Sequence, residues 1–216
     1  MSARGVFITF EGGEGCGKST QLRVLARRLE AAGVPVRALR EPGGTVIGEA
    51  VRGLLLDPDN TGLDAFAELL LYEASRAQLV AEVIEPALES GEVVLCDRFA
   101  DSSTAYQGHA RGLPLAEVAA LNDIATGGLF PDRTVLLDVE PALGVRRATS
   151  QGADRLEGED LAFHERVREG FLAIAVEEPD RVRVVDASGD VDTVAARVFA
   201  ALADLEQLAS AADAPR

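Results

Sequence analysis

Lysine is almost absent from this chain: among 216 residues and 21 basic side chains, Lys18 is the one lysine, and arginine supplies the other 20. A biased genome composition accounts for the missing lysines but not for the retained one. Cysteine is nearly as scarce. Cys16 and Cys96 are too few for a disulfide framework and, with only His109 and His164 beside them, form no spaced zinc set. Net positive charge is lacking, the formal balance being −15. General affinity for nucleic acid or an anionic membrane needs clustered, uncompensated cations, so both are excluded as partners. No apolar run approaches the roughly 18 residues of a membrane span, and no stretch near Met1 reads as a signal peptide. These absences predict a soluble, cytoplasmic chain with reduced thiols, holding any anionic ligand in a local site.

What is present suits one domain spanning 1–216, since 47% of the residues are hydrophobic and the length allows a sizeable core. Short β-branched runs at 5–10, 34–39, 91–96, 133–139 and 181–187 read as buried strands. Between them, helical periodicity runs over 18–32, 45–55, 63–90, 115–126, 141–149, 160–178 and 191–208. The alternation predicts a three-layer α/β/α fold around a five-stranded parallel sheet. Residues 146–160, "RRATSQGADRLEGED", mix arginines, acids and glycines with little to bury and read as a lid. Residues 208–216 read as a frayed tail.

The stretch "FEGGEGCGKST" follows the first strand and opens a helix. Gly12, Gly17, Lys18 and Ser19 satisfy G-x-x-x-x-G-K-[ST], so the chain is read as a P-loop fold in which residues 12–20, Gly12, Gly13, Glu14, Gly15, Cys16, Gly17, Lys18, Ser19 and Thr20, bind ATP. Glycines let backbone N–H groups wrap an anion, and the helix N-terminus adds its dipole. A compact ammonium fits such a loop where a planar guanidinium does not, which is the reason to exempt Lys18 from arginine. Cys16 is a small spacer. Asp97, closing "VVLCD", has the form of a Walker B acid and with Ser19 would hold Mg²⁺.

Three further stretches fall where open α/β sheets bind ligands: "REPGGT" (40–45), "YEASR" (72–76) and "DRFADSSTAYQG" (97–108). Taken in this order, the first and third are specific enough that the chain resembles the bacterial thymidylate kinases, from Val6 to about Leu205. The resemblance implies transfer of the ATP γ-phosphate to dTMP, with Mg²⁺, in a homodimer. It implies that Tyr72 stacks on thymine, that Arg76, one turn on, reaches the base O4, and that Arg98 binds the dTMP phosphate. Ser103, Thr104 and Gln107 would meet the base, and Tyr106 would pack where a ribose 2′-hydroxyl projects. Glu14 would sit near Mg²⁺ and the sugar 3′-hydroxyl, with Arg40 and Glu41 facing the acceptor. Each assignment suits what the side chain can do, since ring faces stack and guanidinium groups only donate.

Family members without an arginine in the P-loop usually carry a catalytic arginine in an arginine-rich lid. Here Ser150, Gln151 and Gly152 occupy part of that stretch, leaving Arg147 and Arg155 as candidates beside Lys18, Arg98 and Glu14 as the catalytic set. Two other classes compete: another small P-loop kinase for nucleosides or nucleotides, and an ATP-binding switch. A GTPase is excluded, because its Asn-Lys-x-Asp motif needs a second lysine.

Overall fold

The computed structural model describes residues 4–148 and 155–208. Five parallel strands stand in the order β2-β3-β1-β4-β5: β1 (Phe7–Glu11), β2 (Val36–Arg40), β3 (Val93–Asp97), β4 (Arg133–Asp138) and β5 (Val182–Asp186). β1 is central and wholly buried, pairing with β3 through Phe7↔Val94 and with β4 through Ile8↔Arg133. Parallel sheets need cover on both faces, and the alternation along β1 supplies both. Ile8 and Phe10 meet Leu22, Leu25 and Leu29 of α1 (Lys18–Ala31) and Val194 and Val198 of α9 (Val191–Ala201). On the opposite face Phe7, Val94 and Cys96 meet Leu79 of α3 (Ala65–Leu79), a π-helical segment Val80–Ile84, Leu88 of α4 (Glu85–Glu89) and Phe99. A third cluster joins Leu136 and Tyr106 to Phe163, Val167 and Phe171 of α8 (Leu161–Glu177).

Helix starts follow local chemistry. Thr45 caps α2 (Val46–Leu56), and Asp64, Asp160 and Asp190 cap α3, α8 and α9, each side chain accepting from a first-turn N–H. The N-cap of α1 is Gly17 in the left-handed region, with no side chain to occupy the N–H groups. That leaves an anion site at the carboxyl end of the central strand.

Several expectations need correction. The helix expected over 63–90 changes to π geometry at Val80–Ile84 before resuming as α4. The stretch after β3, outside the helical runs read from periodicity, is helical, as α5 (Ala100–Ser103) and a π-helical segment Thr104–Ala110, because its hydroxyls find side-chain acceptors on Glu11 and Glu73. The last helix ends at Ala201, and Leu208, assigned to the tail, is 5% exposed and packs in the α1/α9 core. Residues 149–154 and 209–216, parts of the expected lid and tail, lie outside the described residues. α6 (Leu115–Thr126) and α7 (Pro141–Ala148) complete the element set used below.

Candidate active site

β1 delivers the chain into a loop that turns back on itself through Gly12, Gly15 and Gly17, all at positive φ. Gly15 also lies against α7: a Cβ there would sit 2.0 Å from the Gly144 carbonyl oxygen, and one on Gly144 would sit 2.3 Å from Glu14 O. Only two glycines allow this approach. Lys18 is buried, and its Nζ donates to Gly12 O (3.1 Å) and Gly13 O (2.8 Å) and lies 3.5 Å from Cys16 Sγ. Ser19 Oγ, in the first turn of α1, donates to Asp97 Oδ2 at the end of β3. This all-oxygen pair suits a hard divalent cation completed by phosphate and water oxygens. No group of three or more His, Cys, Asp or Glu forms a protein-only metal cage among the described residues.

Arg98 follows β3 with φ 72°, a strained conformation for a side-chain-bearing residue, held by its N–H to Phe10 O. Its guanidinium donates to Gly12 O (3.2 Å) and Glu14 Oε1 (2.6 Å) and lies over the Tyr106 ring. Tyr106 Oη donates to the same Glu14 oxygen at 2.6 Å. Burial opposes ionisation of Glu14, but the charges of Arg98 and Lys18 and the Tyr106 hydrogen bond outweigh it, holding the carboxyl at about 2. Edge-on packing against Phe163 and Phe171 fixes the Tyr106 ring.

These residues border one cavity of about 460 Å³. The P-loop side contributes Glu14, Gly15, Gly17, Lys18, Ser19, Thr20 and Asp97; the opposite side contributes Arg40, Glu41, Tyr72, Arg98, Ser103, Tyr106 and Gln107; Arg147 reaches it from α7. Arg40 is held by Glu49, and burial pushes Glu41 up to about 7 against the opposing charge of Arg76.

A sequence profile described as thymidylate kinase matches residues 10–198. The chain is 54% identical over 203 residues to a thymidylate kinase of Deinococcus radiodurans, covering 94% of this chain and 98% of that protein. A thymidylate kinase of Citrifermentans bemidjiense is 54% identical over 194 residues, covering 87% and 86%. The crystal structure of thymidylate kinase from Ehrlichia chaffeensis superposes with a TM-score of 0.76 at 37% identity, covering 93% of this chain and 99% of that one. The chain belongs to the thymidylate kinase family.

Not every residue that the P-loop motif and the family resemblance implicate reaches the cavity. Arg76 is 1% exposed, with its donors taken by Glu41 (2.9 Å), Glu73 (2.6 Å), Ser103 (3.0 Å), Asn122 (2.9 Å) and the Phe99 carbonyl (3.1 Å). It braces Glu41 and Ser103, which do line the wall. Thr104 is turned toward Ala100 O and Asn122. Gly12, Gly13 and Cys16 stand behind the wall, the first two bordering a small void against α8. Arg155 binds Leu55 O (2.8 Å) and pairs with Glu68 (2.6 Å), beside a separate surface cavity. Buried acceptors hold both arginines away.

Sequence reading missed Arg52, which lines the cavity and donates to Pro42 O, and Ser102, which lines it and donates to Glu11. Neither carries a local signature.

Proposed function

We propose that this kinase transfers the γ-phosphoryl group of ATP to the phosphate of dTMP, releasing ADP and dTDP. The observation that carries the reading is one cavity whose walls pair a P-loop with a nucleoside-sized polar and aromatic set. The bond from the γ-phosphorus to the ADP oxygen breaks as one forms to a dTMP phosphate oxygen. That acceptor is already anionic, so no base is needed; alignment and charge neutralisation suffice. Lys18 and the open α1 N-terminus hold the donor phosphates, and Arg98 holds the acceptor phosphate. Mg²⁺, when bound by Ser19 and Asp97 with phosphate oxygens, supplies further neutralisation. Arg147 is assigned to the transferring group in preference to Arg155. Tyr72 stacks on the base, Ser103 and Gln107 meet its polar edge, and Tyr106, tethered through Glu14, closes the space of a 2′-hydroxyl.

A homodimer belongs to the same proposal. α2 packs on α3 and α3 on α6, and Ile47, Leu54, Leu70 and Ile124 on these helices are each more than half exposed, which favours a self-complementary apolar interface. A cytoplasmic setting suits two buried free thiols, and no helix among the described residues is long and apolar enough to cross a membrane.

The test is ADP release across an acceptor panel. dTMP should support turnover, thymidine and UMP should support little, and equal turnover on all three or without acceptor would overturn the reading.

A further inference from the structure

We propose that Glu68 is a positioning residue for base selection: it fixes which end of the Gln107 amide faces the acceptor base. This rests on the dTMP reading of the cavity and names a determinant within it that touches no substrate.

Glu68 lies in the first turn of α3 and is 1% exposed. Its Oε1 accepts from Gln107 Nε2 at 2.7 Å, the shortest of the hydrogen bonds it receives, and from Arg111 Nε at 3.3 Å. Its Oε2 accepts from Arg111 (3.3 Å) and pairs with Arg155 (2.6 Å). Arg111 is in turn held by Glu159. A carboxylate braced by two guanidinium groups has little freedom to turn, and it has no proton to donate. Only the NH₂ end of an amide can face it.

The consequence falls on Gln107, which is 2% exposed and lines the cavity. With Nε2 committed to Glu68, the carbonyl Oε1 is left as the recognition end. An amide is otherwise ambiguous, because its two ends are nearly the same size and a half-turn exchanges donor for acceptor. Thymine presents a donor at N3, which a fixed carbonyl accepts. Cytosine presents an acceptor at the same position, so two lone pairs would oppose each other in a desolvated site. Polar mismatch of this kind discriminates far better than shape, by factors of about 10⁴ where the site is built for it. A chain without Glu68 would let the amide turn and serve both bases.

The test compares kcat/KM for dTMP and dCMP. Glu68→Gln keeps the shape and offers an NH₂ group to Gln107 Oε1, which permits the turned amide. The dTMP/dCMP ratio should fall by about tenfold or more, through a gain on dCMP as well as a loss on dTMP. In a Gln107→Ala background, Glu68→Gln should leave the ratio unchanged, since the amide it orients is gone. Arg111→Gln, which also removes a Glu68 partner but leaves the Gln107 contact, should keep the wild-type ratio. Should Glu68→Gln not fold, Glu68→Asp withdraws the acceptor by one methylene, and the same fall in ratio is expected. An unchanged ratio in the folded Glu68 variant, or an equal fall with and without Gln107, overturns the inference. Wild-type protein inactive on dTMP would instead overturn the dTMP reading itself.

Discussion

Lys18 shows how little room a phosphate loop leaves. Its Nζ points at two loop carbonyls within 3.1 Å, in a space bounded by the Cys16 sulfur. A guanidinium there would push its planar fork into the backbone that has to wrap the anion. Lys18→Arg should therefore keep the fold and thermal midpoint but lose at least about a hundredfold in kcat, in the range seen when one preorganised charge partner is misplaced. Near-normal turnover in a steady-state assay would contradict the steric account. Glu11, one residue before the loop, gives a pH prediction. Burial and the charge of Asp101 push it up to about 8, against the hydrogen bond from Ser102 and the charge of Arg98. Its folded-state pKa lies above the unfolded value near 4.5, so its stabilising contribution is complete below about pH 4.5 and is lost as pH rises toward 8. Glu41, raised to about 7, adds to the same trend, whereas Glu14, lowered to about 2, contributes stability that is lost only below 4.5. In Glu11→Gln the Ser102 and Phe99 contacts remain possible, and the fall in urea midpoint between pH 5 and 8 should be shallower than in the wild type. Parallel slopes would refute the assignment.

At the scale of elements, the contact between the P-loop and α7 decides where Arg147 stands. The glycine pair Gly15 and Gly144 brings the two backbones together, and Arg147, in the last turn of α7, lines the cavity as a result. Arg155, beyond residues 149–154, is committed to Glu68 and Leu55. Arg147→Ala is therefore expected to cost tenfold or more in kcat, roughly the 1.4 kcal/mol or more that one transition-state contact supplies, with ATP affinity little changed. Arg155→Ala should mainly lower stability, because it leaves Glu68 with one fewer cation. The reverse pattern, read from kcat and a urea melt of each variant, would move the role to Arg155. The same contrast marks what local sequence carries. The P-loop, the Asp97 strand end and the five β-branched runs are legible because each depends on neighbours in sequence. The burial of Arg76 is not, since its partners Glu41, Ser103 and Asn122 come from three other segments, and i,i+4 spacing with Tyr72 places both residues on one helix face without saying what covers either. The helix over 100–110 escaped notice for a related reason: serine and threonine compete with backbone bonding unless distant acceptors such as Glu11 and Glu73 engage them.

For the whole molecule, a chain of net charge −15 gathers Lys18, Arg40, Arg52, Arg98 and Arg147 around one cavity whose wall also carries Glu14, Glu41, Asp97 and Glu157. The anionic bulk makes that cavity a local exception, consistent with small anionic substrates and not with a polyanion. Two molecules are expected to share the apolar face of α2, α3 and α6. Leu70→Glu at its exposed centre should convert a dimer to a monomer in light scattering at micromolar concentration, and a monomeric wild type would refute the interface. Incubation with ATP labelled in the γ-phosphate, dTMP and Mg²⁺ tests the central claim most directly. The account predicts that the label moves into dTDP, and that omitting dTMP or chelating Mg²⁺ abolishes transfer. Label appearing in free phosphate at the same rate without dTMP would contradict it.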